Sequence, residues 1–121
     1  MDVAEIKVYT IGYARWSLGE VTELVDEKGS TLVDVRLKPY SRKPGFSRRS
    51  LEKELGDDYV HLPGFGNVNY KGGAVKLKEP ESALARIADF VADGDPVMLM
   101  CGCADHRRCH RSAVAAAIQK R

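Results

Sequence analysis

No stretch of this sequence stays apolar for long enough to span a bilayer, so no membrane-embedded protein is expected. Cysteine is missing from residues 1–100, and the three that exist, Cys101, Cys103 and Cys109, are crowded into one short segment. A secreted disulfide framework spreads its cysteines to tie distant segments together, so this pattern points instead to a reducing, cytoplasmic setting. The start, Met1-Asp2-Val3-Ala4-Glu5, lacks the basic and apolar regions of a signal peptide, which fits that expectation. Repeats and low-complexity stretches are absent too. A charge excess is also missing: 19 Lys and Arg stand against 17 Asp and Glu, and the net charge of +2 by itself selects no class of partner. What is present is 121 residues, 44% hydrophobic and 30% charged. That composition makes one folded domain, 1–121, with one core, and excludes a disordered chain.

Strand-like and helix-like periods alternate along it. Residues 5–13 (EIKVYTIGY) are β-branched and strand-like. Ser17, with Glu20 three residues on, forms a capping-box pattern ahead of a helix that carries Leu18, Val21, Leu24 and Val25 and stops at Gly29. A second strand covers 31–37 (TLVDVRL), and a second helix opens at Ser47 or Ser50 and ends at Gly56. A short strand spans 59–62, and residues 63–80 read as a long surface loop. Pro80 starts a third helix, 96–100 (PVMLM) is a strand covered on both faces, and 112–120 is Ala-rich and helical. The expected fold is α/β: a three-layer, mostly parallel sheet of about four strands with helices on both faces. Such sheets bind ligands at the carboxyl ends of their strands, so the loops after strands deserve the closest reading.

The loop after the fourth strand runs Cys101-Gly102-Cys103-Ala104-Asp105-His106-Arg107-Arg108-Cys109-His110-Arg111. Three readings stay open. A cysteine between a strand end and a helix N-terminus, with Arg and His nearby, becomes a reactive thiolate, and Cys101 to Arg107 has the Cys-x5-Arg count of anion-cradling loops. Cys101, Cys103, Cys109 and His110 are alternatively a ligand set for zinc or iron, although the paired Cys-x2-Cys knuckles of common zinc modules are absent. Cys101 can also simply end a core strand, since free cysteine is among the most buried residue types.

A second chemical segment follows the second strand. Residues 37–49 contain Lys38, Arg42, Lys43, Arg48 and Arg49 and no acidic residue. Such a run is usually a solvated face, but Pro39 and Pro44 stiffen it and the topology brings it to the cysteine loop's edge. Arg36, Arg42, Arg107 and Arg111 are therefore the candidate anion contacts, and an anionic small molecule or nucleic acid is the expected partner. Asp34 or His110 can move protons beside a Cys101 nucleophile, and Asp34 can instead serve as an ion-pair partner for Arg36 or Arg111. Tyr13, Trp16, Tyr40, Phe46, Phe65 and Tyr70 are either stacking surfaces for a base or lids over the core. The leading expectation is an enzyme for a phosphate-, nucleotide- or sulfur-containing substrate, a thiol-dependent transferase or hydrolase. A metal-binding domain comes second, and a nucleic-acid-binding module using 36–49 comes third.

In order along the chain stand Thr10-Ile11-Gly12-Tyr13, Leu32-Val33-Asp34-Val35-Arg36, Pro39, Ser41-Arg42, Pro44-Gly45-Phe46, His61-Leu62-Pro63, and Cys101 with Cys109-His110-Arg111. This series resembles the domain-of-unknown-function family four-eight-eight over most of the chain. The resemblance implies a small cytosolic α/β domain with a Cys- and Arg-rich site, and brings no settled activity. Carried over by position, the family pattern singles out Gly12, Tyr13, Asp34, Arg36, Ser41, Arg42, His61, Cys101, Cys109, His110 and Arg111. Many relatives have glutamate two residues after the first cysteine, where this chain has Cys103, and the change favours metal or thiol chemistry over a carboxylate-dependent mechanism. The Leu-Val-Asp-Val-Arg strand and the late cysteine loop are also similar to rhodanese-like domains, as a fold-level analogy.

Overall fold

The computed structural model describes residues 8–68, 76–91, 96–101, 114–116 and 118. Four strands, β1 (Val8–Gly12), β2 (Thr31–Asp34), β3 (Tyr59–His61) and β4 (Val97–Cys101), form one parallel sheet in the order β1-β4-β2-β3. Between them run α1 (Leu18–Lys28), α2 (Arg48–Leu55) and α3 (Pro80–Val91). The last strand in sequence thus sits between the first two, with all five of its residues buried. That is why PVMLM shows no polar alternation: both its faces are covered.

Alternation along β4 divides the core. Val97, Leu99 and Cys101 join Val33, Val35 and Phe65 under α3 residues Leu84 and Ile87 and the helical residues Val114 and Ile118. Met98 and Met100 face the other way, with Leu32, Tyr59 and Phe46 under Val21 and Val25 of α1 and Leu51 of α2. Helices therefore cover both faces, as the alternating pattern requires. No helix among the described residues is long and apolar enough to cross a membrane.

The boundaries follow local chemistry. Ser17 and Glu20 form the reciprocal capping box (Glu20 N to Ser17 Oγ 3.1 Å, Ser17 N to Glu20 Oε1 2.9 Å), and Gly29 ends α1 in the left-handed conformation at φ 59°. The strand expected over 31–37 stops at Asp34, because the Asp34 carboxylate captures the Arg36 N–H at 3.1 Å and turns the chain. The first strand likewise gives way to a tight 3-10 turn at Tyr13–Arg15. Helix α2 opens at Ser47, whose hydroxyl is engaged by Ser41 rather than by the helix, so Arg48 and Arg49 belong to its first turn and not to the preceding loop.

Residues 63–68 and 76–80, expected as surface loop, carry regular structure. A 3-10 turn at Pro63–Phe65 leads into an antiparallel bridge between Asn67 and Leu77, flanked by Val68 N to Lys76 O and Lys78 N to Gly66 O, both 2.9 Å. This return ladder packs against the β2–α2 connection. A Cβ on Gly66 would lie 2.6 Å from the Leu37 Cα, so glycine is what allows the approach.

Candidate active site at the carboxyl edge of the sheet

The register sets the carboxyl ends of the strands side by side: Gly12 opposite Cys101, Asp34 opposite both Met100 and His61. On the α1/α2 face of this edge lies a buried polar network. Asp34 is wholly buried, and each of its oxygens accepts two hydrogen bonds. Oδ1 takes the Arg36 N–H at 3.1 Å and Nε at 2.8 Å; Oδ2 takes Arg36 Nη2 and the Tyr59 hydroxyl, both at 2.6 Å. Arg36 Nη1 donates to the Tyr13 hydroxyl at 3.2 Å, and the guanidinium carbon lies 5.3 Å from that ring's centre. The opposite side of the edge pair is apolar: Tyr13 stacks on the buried Phe46 at 4.5 Å and 7°.

The charges answer to these contacts. Burial pulls the Arg36 guanidinium toward neutrality, but its hydrogen bonds and attraction to Asp34 outweigh this, and its pKa moves upward. Tyr59 is also pushed well above the ordinary phenol value, first by burial, then by repulsion from the Asp34 carboxylate and by the hydrogen bond it donates there. Arg36 is therefore a fixed cation and Tyr59 a fixed donor.

The network continues across the edge through the backbone. His61 Nε2 donates to the Arg36 carbonyl at 2.7 Å, which places a hydrogen on Nε2; in a neutral ring Nδ1 is then the acceptor. His61 is half-buried and forms one wall of a cavity of about 390 Å³ whose other walls include Lys78, Glu79, Ser82 and Arg86.

The family model described as Domain of unknown function DUF488 matches residues 17–118. The chain belongs to this family. Its edge network lies inside the matched region, apart from Gly12 and Tyr13. No curated protein and no solved structure matches the chain.

Within this DUF488 domain the residues singled out in the sequence fall into distinct places. Asp34, Arg36, Tyr13 and His61 are brought together, and Gly12 is buried at the end of β1. Ser41 staples the β2–α2 connection, its N–H on Ser47 Oγ and its hydroxyl on the Lys43 N–H, both 3.1 Å. Arg42 stands exposed on the same connection. Cys101 is buried on the α3 face, opposite to Asp34. Cys103, Arg107, Cys109, His110 and Arg111 lie outside the described residues, as does Tyr70. Among the described residues no group of three His, Cys, Asp or Glu side chains is arranged to hold a metal ion. Of the aromatics, Phe46 and Phe65 are core residues, whereas Trp16 and Tyr40 are exposed.

Two contributions escaped the sequence reading. Tyr59 looks like an ordinary β-former, and only the sheet pairing puts it beside Asp34. Ser82 and Arg86 did carry a signal, since a spacing of four puts them on one face of α3, one turn on from Glu79.

Proposed function

We infer that this DUF488 domain is an enzyme for an anionic substrate, acting at the carboxyl edge of its sheet. In this reading His61 is the proton-transfer group, while Asp34, Arg36 and Tyr59 are positioning residues. The observation that carries it is the chain of hydrogen bonds from Asp34 through Arg36 to His61. A buried ion pair with every oxygen satisfied gives little net stability over an apolar pair, because both charges must leave water. What it does give is one fixed conformation. Here that fixity is delivered to the carbonyl that orients His61, and the ring's remaining nitrogen is the group a substrate proton would meet. In the same proposal Arg107 and Arg111, which follow β4 in sequence, hold the anion and His110 shares proton transfer. Thiol chemistry at Cys101 requires its sulfur as a free thiolate.

The test is turnover of a panel of phosphomonoesters, nucleotides and thiosulfate by the reduced protein, with His61→Gln and Cys101→Ser alongside. Turnover of one class, lost in His61→Gln, is the expected result, and loss in Cys101→Ser as well would add the thiolate. No turnover of any class, or turnover untouched by either substitution, overturns the reading.

A second reading rests on Tyr40, which is 72% exposed on a connection tied down by Tyr40 N to Lys38 O (2.8 Å) and Arg48 N to Pro39 O (2.9 Å). An aromatic ring held outward between the exposed Lys38 and Arg42 suits a nucleic-acid base with its backbone phosphates. Gel retardation of single-stranded oligonucleotides at low salt, weakened in Tyr40→Ala, would support it; no retardation removes it.

A further inference from the structure

The cavity on the α3 face offers a ligand site that the inferred chemistry has not used. Its walls come from three places: His61 at the end of β3, Lys78 and Glu79 on the segment leading into α3, and Ser82 and Arg86 on α3. It is an open surface depression of about 390 Å³ whose Lys78, Glu79, Ser82 and Arg86 walls are exposed to an incoming ligand. Its cations are uncommitted: among the described residues neither Lys78 nor Arg86 makes an ion pair, whereas Arg36 and Arg48 both do. Its hydroxyl is only loosely held, with Ser82 Oγ 3.3 Å from both the Glu79 carbonyl and the Glu79 carboxylate. That distance is at the long end for an O–H donor, so these bonds exchange readily for a ligand's.

We propose that this cavity binds a phosphorylated sugar, its phosphate on Lys78 and Arg86 and its hydroxyls on Glu79 and Ser82. Two cations from separate elements match a doubly charged phosphate better than a single carboxylate. Glu79 is the discriminating wall. Its carboxylate repels a bare anion, but accepts hydrogen bonds from sugar hydroxyls on a ligand whose charge sits further along. His61 borders the cavity, so the bound sugar lies beside this side chain. The inference deepens the anionic-substrate reading and rests on it for the role of His61, but the binding itself does not depend on turnover.

The test is calorimetric titration of the intact protein with ribose 5-phosphate, inorganic phosphate and ribose, with His61 ring resonances followed by NMR. Ribose 5-phosphate should bind and shift the His61 signals, and ribose should do neither. Inorganic phosphate should bind about tenfold more weakly or worse. Lys78→Ala and Arg86→Ala should each lower ribose 5-phosphate affinity by about tenfold or more, the size of one lost charge-assisted hydrogen bond. Glu79→Gln should narrow the gap between inorganic phosphate and the sugar phosphate. Absence of binding, or affinity unchanged in both cation variants, overturns the proposal. Binding to the cavity without turnover of any phosphate ester sustains it while removing the enzymatic reading. Turnover that ignores Lys78→Ala and Arg86→Ala does the reverse.

Discussion

On the α1/α2 face of the sheet edge, Arg36 directs its Nε and both terminal nitrogens to partners inside the fold, and both oxygens of Asp34 are taken. On the α3 face of the same edge, Lys78 and Arg86 border an open cavity and hold no ion pair with a described residue. Both sets contain arginine, and both border His61 or its hydrogen-bond partner. They differ in what their charge meets. The first set is paid for by internal hydrogen bonds and is there to fix geometry; the second stays in contact with solvent and is there to be met by something else. A positive side chain near a sheet edge is thus no evidence for anion binding until its partners are counted.

The sharpest way to break this contrast is Asp34→Ala. Arg36 would be left buried without its counter-charge and Tyr59 without its acceptor, at a cost of about 3–5 kcal/mol of folding stability. Urea denaturation measures this, and a loss below about 1 kcal/mol would mean the network is solvated after all. Tyr59→Phe should cost less, about 1.5–3 kcal/mol, the worth of a hydrogen bond to a charged acceptor. Its pH dependence has a definite sign. The Tyr59 pKa is raised in the folded state, so its proton contributes fully below the ordinary value of 10.0 and progressively less above it, as the unfolded chain ionises first. The stability gap between the parent and Tyr59→Phe should therefore narrow on going above 10.0, and a constant gap would contradict the assignment. The smallest effect is expected on the other face: Lys78→Ala and Arg86→Ala should each change stability by no more than about 0.5 kcal/mol, read from the same urea curves. A loss as large as that of Tyr59→Phe would make them structural and erase the distinction.

Much of the fold was legible because it is written locally. The apolar run ending at Met100 demanded a covered strand, Ser17 and Glu20 a helix start, and Pro80 another, and each stands where the pattern put it. Boundaries failed where a side chain competed with the backbone: nothing in the periodicity of TLVDVRL says that the Asp34 carboxylate will take the Arg36 N–H and end the strand. At the site, the Asp34–Arg36 pairing was one of two alternatives visible in the sequence. The Tyr59 contact was not, because its partner is 25 residues away and meets it only once β2 and β3 are paired. Alternation puts the Asp34 and Cys101 side chains on opposite faces of the sheet, although the ends of β2 and β4 share one edge.

The strand order has a consequence for how the protein comes to be made. Strands β1 and β2 are not neighbours; both border β4, which a ribosome supplies only after β1, β2, β3 and α3 have been made. Until then the nascent chain can pair β2 with β3 and form α1 and α2, but it has no central strand on which either face can close. Its exposed Val- and Leu-rich edges are at their most vulnerable in that interval, and a pause in translation shortly before residue 97 should expose them longest.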